Sequence, residues 1–308
     1  VTTQDPASHV PPRLPGVRDP GDAWVTAADG TRYWGRFGAA GLLVHDPARG
    51  VLLQHRAMWS HHGGTWGIPG GALHAGEPPA AGALREANEE AGVPADAVVA
   101  FATSAVDREV WRYTTVLARV ERSFTPHAGD AESLELAWVT VDAVAQRELH
   151  PAFAQAWPRL RRMLDVRPVL VVDAANVVGS RPDGWWKDRA AATQRLVQRL
   201  AVIAREGLPA AALELDGDRW MPRIEMVIEG RARDATAVAP VVMTVARGSG
   251  DDLIVERAAE RREQGDAVTV VTSDRGLAEQ VREAGATTRG AGWLLALLDE
   301  AADPPASR

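Results

Sequence analysis

The chain has 308 residues, a length that suggests two domains, with 46% hydrophobic and 24% charged residues, the balance of a globular protein. It has no cysteine, which excludes disulfides and thiolate metal sites, and no apolar run near the roughly 18 residues a membrane span needs. A net charge of −7 argues against a broadly basic nucleic-acid surface, though not against a local basic groove, and the whole profile suggests a cytoplasmic protein.

Residues 1–22 are proline-rich and aperiodic and read as a flexible arm, without the apolar core of a signal peptide. Ala39 to His45 and Val51 to Arg56 are apolar runs joined by Asp46-Pro47-Ala48-Arg49-Gly50, the pattern of a β-hairpin. A His61-His62-Gly63-Gly64 loop leads to Trp66 to Pro69. Ala80 to Ala91 reads as a helix stopped by Gly92, Val110 to Val120 and Leu134 to Val141 as strands, and Phe153 to Leu164 as an amphipathic helix. The pattern changes at Pro168. Strand-like runs Val169 to Val172, Ala212 to Leu215, Val241 to Ala246 and Val268 to Thr272 alternate with helical segments, which predicts a parallel sheet covered by helices on both faces. All eight histidines fall at or before His150, so composition also changes. The expected division is residues 23–165 and 166–308.

In the helix after Gly70-Gly71, a period of 3.6 residues places Glu86, Glu89 and Glu90 within roughly 100° of one another. Ala80, Ala83, Leu84, Ala87 and Ala91 form the adjoining apolar stripe. Three like charges on one helix face repel, and a hard cation reverses that cost. Mg²⁺ takes oxygen ligands and bridges carboxylates to phosphates. Gly70 and Gly71 allow close backbone approach. The bland alternative is a solvated acidic face.

The segment Gly71 to Val93 resembles the Nudix box at every fixed position: Gly71, Glu77, Arg85-Glu86, Ala87, Glu89-Glu90, Gly92 and Val93. The resemblance extends from about Ala39 to Leu164 and includes Trp66-Gly67-Ile68-Pro69 and Trp138-Val139. It implies an α/β/α sandwich with a mixed sheet, and a Mg²⁺-dependent (or Mn²⁺-dependent) pyrophosphohydrolase. The substrate would be a nucleoside diphosphate linked to a second group, such as a (d)NTP. It implies metal ligation by Glu86, Glu89 and Glu90 with the Gly71 carbonyl, orientation by Arg85, and a structural or weaker metal role for Glu77. The base is Glu89 or a later acid, Glu132 or its competitor Glu135. Arg56, Trp59 and His61 are candidate substrate contacts; ordinary loop packing and surface solvation explain them equally. His61 and His62 make a weak case for zinc, because adjacent side chains in an extended loop diverge. The downstream proline typical of ADP-ribose-specific members is absent from its expected place.

In the second half, Asp173, Asp216, Asp251 and Asp274 each lie at or just after the expected end of a parallel strand, where α/β sheets bind ligands. Asn176 and Asp252 are near in sequence. Helix capping accounts for any one of these acids; four together suggest a metal site. Val169 to Asn176, Ser249 to Asp252 and Val271 to Asp274 resemble the PIN-like ribonucleases of the NYN and YacP type, over about Val169 to Leu298. That resemblance implies a Rossmann-like domain with Asp173, Asp251 and Asp274 as Mg²⁺ ligands. Asp216, Asn176 and Asp252 would support them, and single-stranded RNA would be the partner. Trp185, Trp186, Lys187 and Arg189 are suited to stacking on RNA and binding its phosphates; equally, the two tryptophans are suited to packing onto the neighbouring domain. An alternative keeps both halves as binding modules, with a nucleotide sensor controlling an RNA-binding or structural domain.

Overall fold

Residues 20–129, 131, 133–181 and 185–302 are described in this computed structural model. Most of the expected N-terminal arm and Glu132 lie outside the described residues. Backbone contacts divide the chain into two units: Val1–Leu164 with Asp216–Asp218, and Asp165–Leu215 with Arg219–Arg308.

In the first unit, β1 (Trp24–Thr26) and β2 (Arg32–Trp34) form a short antiparallel ribbon. Next comes the hairpin of β3 (Ala39–Asp46) and β4 (Gly50–Arg56). Its turn is closed by Asp46, whose Oδ1 accepts from the Ala48 and Arg49 amides at 2.8 and 3.2 Å. This is the aspartate-led turn chemistry expected between two apolar runs. Strands β5 (Trp66–Gly67), β6 (Gly70–Ala72), β7 (Val98–Asp107), β8 (Arg112–Val120) and β9 (Ser133–Val139) complete the unit's sheet. Its order is β7-β8-β3-β4-β5, with β6 on β3 and β9 on β4. The β3–β8 pairing is parallel and the others are antiparallel, so the sheet is mixed. Helix α1 (Pro79–Ala91) packs Ala83, Ala87 and Ala91 onto Leu42, Val44, Leu52, Val116 and Ala118. Alanine on the helix lets its axis come close to the sheet, which fixes where the opposite face points. Helix α2 (Pro151–Leu164) buries Phe153, Trp157, Leu160 and Leu164, the stripe its spacing predicts.

In the second unit, β10 (Pro168–Asp173) is buried at every position. Leu170 and Val172 face one apolar cluster, and Val169 and Val171 another. That two-sided burial explains its continuous hydrophobic run. A small antiparallel pair, β11 (Leu208–Pro209) and β12 (Arg219–Trp220), precedes β13 (Arg223–Ile228). With β14 (Val242–Val245), β15 (Ala267–Val271) and β16 (Thr287–Arg289), these give a parallel sheet of order β14-β13-β10-β15-β16. The helices are α3 (Ala174–Gly179), α4 (Arg189–Glu206), α5 (Gly250–Glu263), α6 (Arg275–Glu283) and α7 (Ala291–Ala302).

One expected strand is absent. Ala210–Leu213 forms a 3-10 turn that ends with Glu214 in the left-handed region at φ 56°, so Ala212 to Leu215 is not a strand. Three successive alanines supply no β-branched side chains to fill a pleat. The strand that lies between β10 and β14 is instead β13, where Ile224, Met226 and Ile228 are buried. Its pattern is disguised by Glu225, only 2% exposed, which pairs with Arg223 and Arg261 at 2.7 and 2.5 Å.

Candidate functional site

Pro79 opens α1, where a missing amide hydrogen costs nothing. Gly92 ends it at φ 63°. There the Gly92 and Val93 amides donate to Asn88 and Ala87 carbonyls at 3.0 and 3.1 Å, the C-terminal closure that glycine permits. The alanine stripe is committed to the core, so Arg85, Glu86, Glu89 and Glu90 face the Gly70-Gly71 segment. Glu90 is 5% exposed, and its Oε2 accepts from the Gly70 amide at 2.9 Å. Arg85 forks onto Glu77, with Nε and Nη2 donating to its two oxygens at 3.0 and 2.9 Å. The same guanidinium donates to Glu86 Oε1 at 2.7 Å and to the Ala72 carbonyl at 3.0 Å. Glu89 lies at the edge, 3.5 Å from Arg85, with its side chain 58% exposed.

One arginine therefore organises the acids. The Arg85 guanidinium holds the Glu77 carboxyl well below the usual range, at about 2, against a smaller opposing effect of burial. Glu77, in turn, raises the Arg85 pKa. Gly71 has a steric reason: a Cβ there would fall 2.6 Å from the Glu86 carboxylate. At Gly41 an added Cβ would meet the Tyr113 hydroxyl at 2.2 Å. Burial, then the negative charge of Glu90, pushes the Tyr113 phenol up, so it stays protonated in this acidic setting. Arg85 already neutralises part of the cluster, and Glu86, Glu89 and Glu90 along one helix face offer only oxygen atoms as ligands. The carboxylates and the glycine cradle fit a hard divalent cation such as Mg²⁺.

Around this cluster, Arg56 ends β4 and donates through Nε to the His61 carbonyl at 3.3 Å. Trp59 is 38% exposed in the loop beyond. Glu135 lies on β9 opposite His55. The expectation that His61 and His62 diverge is corrected. His62 sits at φ 54°, and the two rings approach to 4.1 Å between centroids because the loop is a turn and not an extended strand. His150, which sequence reasoning passed over, joins them. It lies 88 residues beyond His62, so only the sheet could reveal it.

In the second unit, Asp173, Asn176, Asp251 and Asp274 line one cavity of about 170 Å³ together with Glu229. Asp173 and Asp274 are also helix caps, accepting from the Asn176 and Leu277 amides at 3.0 and 2.9 Å. Capping and convergence are thus compatible. Thr272 Oγ1 donates to Asp173 at 2.9 Å, and Asn176 accepts from the Ser273 amide at 2.8 Å. Burial raises the pKa of Asp173 and Asp251; for Asp251 the neighbouring Asp274 and Glu229 add to it. Asp216 does not belong here. It follows a 3-10 turn instead of a strand and pairs with Arg162 at 2.9 Å in the first unit. Glu229, at the end of the unforeseen β13, takes the expected position. Asp252 does not line the cavity; its amide donates to the Ser249 cap at 3.4 Å. Trp186, Lys187 and Arg189 are exposed. No described helix is long and apolar enough to cross a membrane.

A family model described as NUDIX domain matches residues 35–162. A Putative 8-oxo-dGTP diphosphatase 3 from Mycobacterium tuberculosis (strain H37Rv) is 48% identical over 155 residues, covering 47% of this chain and 71% of the relative. A Nucleoside triphosphate pyrophosphatase/Nudix hydrolase fusion protein from Bifidobacterium longum is 44% identical over 162 residues, covering 50% of this chain and 34% of that protein. Among solved structures, a Nudix hydrolase from M. smegmatis, RenU, is 45% identical with a TM-score of 0.43, covering 46% of this chain and 94% of that one. The matched residues 35–162 contain the Arg85-centred carboxylate cluster, and on these grounds the chain belongs to the Nudix hydrolase family, whose members act on pyrophosphate bonds.

Proposed function

We propose that the first unit hydrolyses a nucleoside triphosphate of the 8-oxo-dGTP class to the monophosphate and pyrophosphate. The observation that carries this reading is the Arg85 fork, which locks Glu77 and Glu86 while leaving Glu89 exposed beside them. The substrate class comes from the name of the 48% identical relative. Glu86, Glu89, Glu90 and the Gly71 carbonyl would hold Mg²⁺, or Mn²⁺ in its place. That ion supplies charge neutralisation on the phosphates and acidifies a water.

The protein residues divide the remaining work. Arg85 keeps Glu86 in place through a 2.7 Å hydrogen bond. Glu90 is fixed by the Gly70 amide, which also sets the distance between the glycine segment and the helix. Glu89, the least tethered of the three, takes the proton of the attacking water as its oxygen bonds to phosphorus. The P–O bond to the leaving pyrophosphate breaks and that oxygen keeps the electron pair. Glu132 and Glu135 compete for the base role. Arg56, Trp59 and His61 flank the nucleotide side, with an arginine for phosphate and an exposed indole for stacking. Assay of 8-oxo-dGTP, dGTP and ADP-ribose with Mg²⁺ tests the class. Preference for 8-oxo-dGTP supports it, and turnover of ADP-ribose alone contradicts it.

A second activity is favoured by one observation in the other unit. Asp173, Glu229, Asp251 and Asp274 share a cavity of about 170 Å³ with no arginine among its described lining residues. A PIN-like ribonuclease with Mg²⁺ or Mn²⁺ held by Asp173, Asp251 and Asp274 accounts for that, with Trp186, Lys187 and Arg189 near single-stranded RNA. Cleavage of unstructured RNA that Asp173→Asn abolishes, with nucleotide hydrolysis intact, supports this assignment. RNA binding without cleavage in the wild type favours the sensor-and-module alternative.

A further inference from the structure

We propose that His61, His62 and His150 form a binding site for one divalent transition-metal ion of the zinc class, separate in chemistry from the carboxylate site. One ligating atom from each of the three side chains lies within 4.8 Å of the other two. Zinc takes imidazole nitrogens at about 2.0–2.1 Å, which sets nitrogen–nitrogen spacings of roughly 3.4 Å in a tetrahedron. Closing the site therefore needs movements of about 1 Å, within the reach of small χ adjustments.

The backbone prepares this arrangement. His62 is one of three non-glycine residues at positive φ among the described residues, a conformation disfavoured outside glycine. The turn that holds it is closed by the Gly63 amide on the Ser60 carbonyl at 2.9 Å and the Gly64 amide on the Arg56 carbonyl at 2.9 Å. The Thr65 hydroxyl also donates to the His62 carbonyl at 2.6 Å. Turning at His62 brings its ring edge-on to His61, at 72°, and to His150, at 87° with centroids 4.7 Å apart. His150 is pinned from the other side. Its amide donates to the Trp66 carbonyl at 2.8 Å, and the Trp66 amide donates to Glu148 at 2.7 Å. Three imidazoles from two chain segments are thus gathered at the entry to β5, the strand that leads into the Gly70-Gly71 cradle.

Imidazole ligates only when neutral. Burial, with His62, Arg56 and His61 adding to it, holds His150 down at about 4, and burial with Arg56 lowers His62. The Nδ1 of His150 accepts a long 3.3 Å bond from the Ala152 amide. Ligation through Nε2 exchanges that weak bond for a metal bond. The Arg56 charge works against a cation, and three protein nitrogens leave a fourth position for water or an anion that offsets it. Nitrogen ligands suit Zn²⁺, Co²⁺ and Ni²⁺ and are poor for Mg²⁺, so the two sites sort ions by donor type.

The test uses the full-length protein without a histidine tag, in excess Mg²⁺ to fill the carboxylate site, titrated with Co²⁺ as the spectroscopic probe. One equivalent should bind with the visible bands of a low-coordinate cobalt–imidazole site, and Zn²⁺ should displace it. His62→Gln, at an exposed position, and His150→Gln should each weaken binding by at least about 10- to 100-fold. Glu89→Gln should leave the bands unchanged. Absence of saturable bands, bands that survive both histidine variants, or bands lost in Glu89→Gln would overturn the proposal.

Discussion

The two acidic clusters of this protein are built on opposite principles. In the first, Arg85 binds Glu77, Glu86 and the Ala72 carbonyl, and a backbone amide binds Glu90. One guanidinium thus answers part of the charge before any ion arrives. In the second, Asp251 faces Asp274 and Glu229, and the hydrogen bonds to Asp173 and Asp274 come from caps and a threonine instead of a cation. The contrast teaches that convergence of carboxylates and organisation of carboxylates are separate properties. The first cluster is ordered by an arginine and a backbone amide; the second is ordered by caps and a threonine.

The largest expected effect breaks the first cluster without touching its packing. Glu89→Gln keeps the shape and removes the charge at an exposed position. Turnover under saturating Mg²⁺ should fall by on the order of 10²–10⁴, with an unchanged circular dichroism spectrum. Near wild-type turnover would move the base role to Glu132 or Glu135. Arg85→Ala comes next. It strands Glu77 and Glu86 beside each other, and urea unfolding should show a loss of about 1–3 kcal/mol. Arg85→Lys should restore little, since a single ammonium cannot reproduce the fork onto Glu77.

For the second cluster, Mn²⁺ at ten times its Kd should stabilise the protein by about 1.4 kcal/mol, and Asp251→Asn should remove that gain. A metal-independent melting curve would mean that the acids are caps alone. The smallest effect lies in acid. Glu77 has a folded pKa of about 2, below its ordinary 4.5. Its ion pair therefore contributes fully above about pH 4.5 and is lost as pH falls towards 2. Glu77→Gln should be less stable than the wild type at pH 7, with the gap narrowing between pH 4.5 and 2. A constant gap would show that the side chain matters by shape and not by charge.

The first cluster was open to sequence reading because its parts are local. A helical period placed three glutamates on one face, and alanines at fixed offsets assigned the other face to the core. The second was half legible. Asp173, Asp251 and Asp274 follow apolar runs or precede helices, signals that survive in a single sequence. Glu229 is hidden in the sequence because the Arg223–Glu225–Arg261 ion pairs put charge into a buried interior strand. Asp216 stays apart because the segment Ala212 to Leu215, whose composition predicts a strand, folds as part of a 3-10 turn. The histidine group was out of reach for a different reason. His150 meets His61 and His62 only through the pairing of Trp66 with the segment before α2, and the turn at His62 depends on a backbone conformation that histidine rarely adopts.

If the Arg85-centred cluster directs water onto a nucleoside triphosphate as proposed, pyrophosphate leaves. Product analysis of 8-oxo-dGTP turnover by the full chain with Mg²⁺ tests it most directly. The expected products are 8-oxo-dGMP and pyrophosphate in equal amounts, with turnover abolished by EDTA and restored by Mg²⁺. Release of orthophosphate with the nucleoside diphosphate, or turnover that persists in EDTA, would contradict it.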